Sequence, residues 1–207
     1  MSSSFRHFLE EIAKEKAPGP SPTFSVFHLL LTIELVAENP IGRGKLAQNL
    51  GVGEGVIRTI LGRLTDAGLM KTSKAGCKLT KRGLDIWKEY SSIVRKAEIG
   101  KNELTDASHT YAILIEDHGH KLKSGMEQRD AAVIAGAKTA TTMMYKARRL
   151  NIPSVTENAE KDFPKASDKV LKLLKPVEND AIIIVGADNQ AKAVYAAMAA
   201  AWTFLNT

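Results

Sequence analysis

The 207-residue chain has a single cysteine, Cys77. No disulfide can form within it, and a reducing compartment is expected. No apolar run approaches the roughly 20 residues that span a bilayer, so no membrane partner is expected. The first sixteen residues carry acidic side chains and no long apolar stretch, unlike a signal peptide, and a cytoplasmic location follows as an expectation. Signatures of catalysis are also missing. There is no Walker loop, no Gly-x-Ser-x-Gly, no zinc-hydrolase helix and no Cys–His nucleophile context. Neither enzymatic activity nor a cofactor is expected. The nearest approach to a metal set is Glu116, Asp117, His118 and His120. A His-x-His pair with no further Cys or His close by is weak ligation, and no metal is assigned.

What is present suits a folded, soluble chain. Apolar residues make up 44% and charged residues 25%, close to the globular average. The formal charge is +6, and it is unevenly spread. Residues 40–83 hold nine basic residues against two acidic ones, Glu54 and Asp66. That stretch alone is more positive than the whole chain, and such a concentration attracts phosphate and displaces counterions from nucleic acid.

Spacing divides the chain in two. Apolar residues recur every three to four positions over 4–16 and 24–38, which predicts two helices separated by the proline-bearing segment 17–23. His28 in the second could be a ligand, but a packed or half-exposed helix residue is the expected reading. Shorter helices are expected over 43–50 and 54–67, joined by Gly51-Val52-Gly53 and closed by Gly68. Alternation over 69–73 and 77–80 around Lys74-Ala75-Gly76 reads as a hairpin. A helix over 81–95 follows, and residues 95–108 are polar. The second half reads strand (109–116), helix, strand (139–145), strand (149–153), helix (166–175), strand (181–186), helix (188–205). A capping box, Ser124 to Glu127, is expected to open its first helix. The expected fold is α+β. A winged helix-turn-helix occupies 1–98, a linker 99–108, and an α/β sandwich-like domain in the order β-α-β-β-α-β-α occupies 109–207.

In a helix-turn-helix the first helix braces the second, which enters the major groove. With Val56, Ile57, Ile60, Leu61 and Leu64 inward, the second helix leaves Glu54, Gly55, Arg58, Thr59, Gly62 and Arg63 outside. Arg58 is the candidate for a bidentate guanine contact, Thr59 for a thymine methyl or a phosphate, and Arg63 for the backbone. Lys71, Lys74 and Lys78 on the wing, with Arg43, Lys45, Lys81 and Arg82, would hold phosphates without reading sequence. The expected partner is double-stranded DNA. A winged helix that contacts protein is the alternative.

The segment Pro40 to Gly51, the run Val56-Ile57-Arg58-Thr59, the stretch Thr72 to Gly76 and the exit Leu79-Thr80-Lys81-Arg82-Gly83 occur in that order. They resemble the winged-helix domain of bacterial regulators of the central glycolytic genes, over about 45 residues. The resemblance implies operator binding as a homodimer. The second half does not resemble the sugar-phosphate domain of those regulators. Segments such as Gly125 to Ala132 and Ile184 to Asp188, paired with this winged helix, resemble a family of uncharacterised archaeal proteins.

Two places in the second half could hold a small-molecule effector. Asp188 and Asn189 sit where a buried strand meets a helix start, a common ligand position in open α/β sheets; an Asp N-cap explains the same residue without a ligand. Glu127, Arg129 and Asp130, with Thr139, Thr141 and Thr142, could line a polar cavity, or form a solvated helical turn. A catalytic C-terminal domain would need Asp188 and this charged group to converge. Cys77 is expected in a wing strand, as a structural residue or, if exposed, an oxidant sensor.

Overall fold

The computed structural model describes residues 3–14, 23–73 and 76–205. Most of the proline-bearing segment and the hairpin tip with Lys74 therefore lie outside the described residues. The chain divides into two compact units, Met1–Ser91 and Ser92–Thr207.

The first unit runs α1 (Ser3–Ala13), α2 (Val26–Glu38), α3 (Arg43–Leu50), α4 (Glu54–Asp66), β1 (Met70–Ser73), β2 (Gly76–Leu79) and α5 (Lys81–Ser91). Ser25 starts α2 through a capping box, its backbone N–H donating to Nδ1 of His28 at 3.1 Å. Gly51 closes α3 in the left-handed conformation (φ 66°), and Gly68 follows α4 in the same way (φ 72°). Both permit the tight reversal that a Cβ would oppose. Leu46 and Leu50 of α3 and Ile57, Ile60, Leu61 and Leu64 of α4 are buried with Leu29, Leu30 and Ile33 of α2. Each such side chain contributes about 1.5–3 kcal/mol. Val56, expected inside, is only half-buried.

The exit from the hairpin is a structural device. Thr80 Oγ1 donates to the Gly68 carbonyl at 2.7 Å and accepts from the Gly83 N–H at 3.1 Å, tying α5 to the end of α4. A Cβ at Gly83 would lie 2.2 Å from the Leu69 carbonyl oxygen, so only glycine permits this approach. Ile41 adds a one-residue bridge beside β2, accepting from the Cys77 N–H at 3.1 Å. Cys77 is buried, and burial pushes its thiol pKa up. The exposed-sensor reading therefore fails, because neither access nor thiolate character is present.

The second unit runs β3 (Val94–Glu98), β4 (His109–Ile115), α6 (Met126–Ile134), β5 (Thr139–Lys146), β6 (Arg149–Asn151), α7 (Ala159–Asp162), α8 (Pro164–Leu174), β7 (Ala181–Ala187) and α9 (Gln190–Trp202). Its five strands lie in the order β3-β4-β7-β5-β6, every neighbouring pair antiparallel. All seven residues of β7 are buried, as a central strand covered on both faces requires. Ile182 and Ile184 meet Ala166, Val170 and Leu174 of α8. Ile183 and Val185 alternate to the opposite face, which α6 and α9 cover.

Four expectations are corrected. The boundary falls after Ser91, because residues 94–98, the first two of which were expected to end a helix, form an edge strand of the sheet. The segment expected as a linker, 99–108, is part of the second unit, with Ile99 and Ala107 buried. The Ser124 capping box is absent: Gly125, at φ 79°, is the N-cap of α6 and makes no side-chain cap. The sheet is antiparallel, so the ligand crevice of open parallel sheets does not apply.

Candidate nucleic-acid interface

Helix α4 turns its apolar side inward and leaves Gly55, Arg58, Thr59 and Gly62 exposed. Spacings of three, four and seven put these four on one stripe. A Cβ built at Gly55 or Gly62 meets nothing within 4 Å. Intramolecular packing therefore does not require either glycine, although glycine inside a helix costs about 1 kcal/mol relative to alanine. Among the described residues Arg58 has no hydrogen bond or ion pair. Thr59 Oγ1 donates to the Gly55 carbonyl at 3.2 Å, so its hydroxyl is turned back on the helix.

Other cations of the unit occupy positions that the isolated fold does not favour. Arg43 and Lys45 occupy the first turn of α3, and Lys81 opens α5, with no acidic residue in either first turn. A cation there opposes the helix dipole by about 0.3–1 kcal/mol. Lys71 and Lys78 face one another across the hairpin, both exposed, and like charges directly opposite are destabilising. Lys45, Lys71, Lys78 and Lys81 have no hydrogen bond or ion pair among the described residues.

Two of the expected DNA contacts, Arg63 and Arg82, are engaged within the unit, and a third, Glu54, sits at helix starts. Arg63 turns back to the end of α1, where its Nη1 donates to the carbonyls of Ile12 at 3.0 Å and Ala13 at 2.9 Å and also reaches that of Lys14. Its guanidinium lies 4.9 Å from the centre of the Phe24 ring. It satisfies the terminal carbonyls of a helix and is withdrawn from the outer face. Arg82 donates to the Ala67 carbonyl, the C-cap of α4, at 3.1 Å and covers Phe8 at 4.6 Å. Glu54 opens α4 with its carboxylate 3.5 Å from the Cβ position of Gly44. It lies near two helix N-termini, an arrangement that needs no DNA.

The five expected ligand residues do not assemble. Asn189 is the N-cap of α9, accepting from the Lys192 N–H at 2.9 Å. Asp188 pairs with Lys138, which holds its carboxylate pKa below the usual range. These contacts lie at the end of α6 that leads into β5. The other end of α6 is joined to the far end of α9, where Gln128 Nε2 donates to Thr203 Oγ1 at 2.8 Å. Glu127, Arg129 and Asp130 are exposed on the first half of α6, whereas the Asp188–Lys138 pair lies beyond its last residue. Of the threonines, Thr142 is buried and Thr139 donates to Thr105 Oγ1 at 2.8 Å. No hydrogen bond or ion pair among the described residues joins Asp188 or Asn189 to Glu127, Arg129 or Asp130.

Asp180 was not expected. It is fully buried and accepts from the N–H groups of Asp117 at 3.0 Å and Val177 at 2.9 Å, with Arg95 at 3.5 Å. This ties β3, the end of β4 and the start of β7 together. Beside it, His118 contacts the Glu116 carbonyl and His120 contacts Asn179. Among the described residues no group of three or more His, Cys, Asp or Glu is arranged to hold a metal. Likewise no described helix is long and apolar enough to cross a membrane.

The fold defines the class: a two-unit α+β chain with a basic helical unit preceding an antiparallel sheet unit. Residues 28–85 match the PH0730-like N-terminal domain, and residues 107–204 match a domain of unknown function (DUF4443). Among solved structures, the hypothetical protein PH0730 from Pyrococcus horikoshii OT3 is similar at 26% identity and a TM-score of 0.72. The match covers 87% of this chain and 92% of that one. No curated protein matches.

Proposed function

We propose that the first unit is a winged helix that binds double-stranded DNA, and that the chain is a sequence-specific transcriptional regulator acting as a homodimer. Helix α4 enters the major groove and α3 braces it. The observation that carries this reading is the stripe Gly55-Arg58-Thr59-Gly62, with an unengaged guanidinium between two glycines whose outer side is open. Gly62 and Gly55 allow close approach to the groove, Arg58 reaches a guanine edge, and the Thr59 methyl is placed for an apolar contact. Lys71 and Lys78 on the wing, with Arg43, Lys45 and Lys81, hold flanking phosphates. The separation of Glu127, Arg129 and Asp130 from Asp188 and Asn189 leaves the first unit as the basis of this reading.

The test is selection of genomic fragments bound by the full chain, followed by binding of the selected duplex to Arg58→Ala. Loss of a bidentate guanine contact should weaken that duplex by about 1–3 kcal/mol and relax preference at one base pair. A wild-type chain that selects no fragment would remove the DNA reading and favour the protein-contact alternative.

A further inference from the structure

The second unit carries a basic protrusion that the proposed function does not use. Strands β5 and β6 are joined at Lys146-Ala147-Arg148-Arg149, all four exposed. Lys146 and Arg149 are direct cross-strand partners, a like-charge pair that disfavours the hairpin unless an anion lies against it. Arg148 is at the tip. None of the three cations has a hydrogen bond or ion pair among the described residues.

The turn is unusual for its residues. Ala147 (φ 52°) and Arg148 (φ 62°) are both left-handed, which two-residue hairpin turns normally meet with asparagine and glycine. A long cation therefore stands where a small residue would suit the backbone better. The base of the hairpin is fixed. Leu150 is fully buried, and its N–H donates to Glu160 Oε1 at 3.0 Å. The Tyr145 N–H donates to the Asp180 carbonyl, and the Asn179 N–H to that of Tyr145, each at 2.9 Å. At the tip the Glu178 carboxylate accepts from the Ala147 N–H at 3.1 Å and holds the turn. The wing displays the same device, the facing pair Lys71 and Lys78.

We propose that the β5–β6 hairpin is a second contact for the phosphate backbone of double-stranded DNA. Lys146 and Arg149 straddle one phosphate and Arg148 reaches its neighbour. The contact is independent of sequence, because cations on phosphate carry no base information. It rests on the DNA-binding reading of the first unit and extends it to the second.

The experiment uses the full chain and a mixed-sequence DNA duplex, with affinity followed by fluorescence anisotropy over a range of salt concentrations. Each phosphate contact adds about 0.9 to the slope of log affinity against log salt. The triple variant Lys146→Ser, Arg148→Gly, Arg149→Ser should lose about 2 from that slope, two phosphate contacts at about 0.9 each. On the fragment selected by the wild type, its preference over a scrambled duplex should stay unchanged. Arg148→Gly alone should lose about 1 from the slope without lowering the melting temperature, since glycine suits the left-handed turn. A folded triple variant with wild-type slope and affinity would overturn the inference while leaving the first unit's reading intact. Loss of the sequence preference would also overturn it, since a base contact would then lie in the hairpin. Absence of any DNA binding by the wild type would overturn both.

Discussion

Gly62→Ala separates what the fold needs from what its partner needs. Gly62 is the ninth of thirteen residues in α4, inside the helix, where glycine is about 0.8–1.0 kcal/mol less favourable than alanine. Its backbone is helical, its outer side is open, and the added methyl meets no atom within 4 Å. The full propensity gain should therefore appear as stability. For a unit of 91 residues, a gain of about 1 kcal/mol raises the melting temperature by about 4–8 °C. On DNA the sign reverses. If Gly62 lies against the groove, the methyl intrudes on a closely packed contact, for which overpacking costs about 1–3 kcal/mol, a loss of about 5- to 150-fold in affinity. Calorimetry and anisotropy on the same preparation read the two effects. A variant that melts higher and binds DNA as tightly as the wild type would refute the argument that the open glycines mark the contact face. One that melts lower would refute the account of the helix itself.

Arg63→Ala should do the opposite. It removes the donor that satisfies the last carbonyls of α1 and exposes Phe24, lowering stability by about 1–2 kcal/mol. The salt slope for DNA should stay at the wild-type value, and a fall of about one in that slope would return Arg63 to the interface. The stability of the first unit should also depend on pH through His28. Burial lowers its folded-state pKa below 6.5, and its unprotonated Nδ1 accepts from the Ser25 N–H. The unfolded chain then binds the proton more readily, so this contribution is complete above pH 6.5 and is lost as pH falls toward the folded-state value. His28→Gln should flatten melting temperature against pH across that window, and an unchanged profile would exclude His28 as the titrating group.

How much of this could be read from the residues depends on the range of the interactions. The helices of the first unit and the buried strand β7 follow from local periodicity and caps, and their bounds fall within a few residues of those expected. Strand β3 could not be read that way. Its sequence, Val94-Arg95-Lys96-Ala97-Glu98, is that of a polar edge strand, and it is a strand only because β4 supplies the hydrogen bonds. The antiparallel sheet order was equally hidden, since register is a tertiary property. The candidate interface divides along the same line. Arg58 and the glycines were legible because exposure on α4 follows from its apolar spacing. The intramolecular partners of Arg63 and Arg82 were not legible, because Ile12 and Ala67 lie 51 and 15 residues away. Charge counting cannot tell a guanidinium that caps a helix from one that waits for phosphate.

That distinction shapes the electrostatic argument. Once Arg63 and Arg82 are set aside, five of the cations that remain hold positions that disfavour the free protein. Arg43, Lys45 and Lys81 stand at the positive ends of helices, and Lys71 faces Lys78. With Gly62, these features cost the first unit about 2–5 kcal/mol in total. Domains of ordinary stability keep only about 5–15 kcal/mol, so the cost is appreciable. A solvated surface chosen for folding alone would place acids at those helix starts, alanine at position 62 and opposite charges across the hairpin. Each of these departures changes sign when a polyanion approaches. The dipole of α3 then adds to the attraction of Arg43 and Lys45, the lysine pair shares one anion, and the bare helix surface becomes room for the groove. An acidic protein could answer the same charges; on the DNA reading proposed above, the open stripe of α4 is the part that the groove would fill.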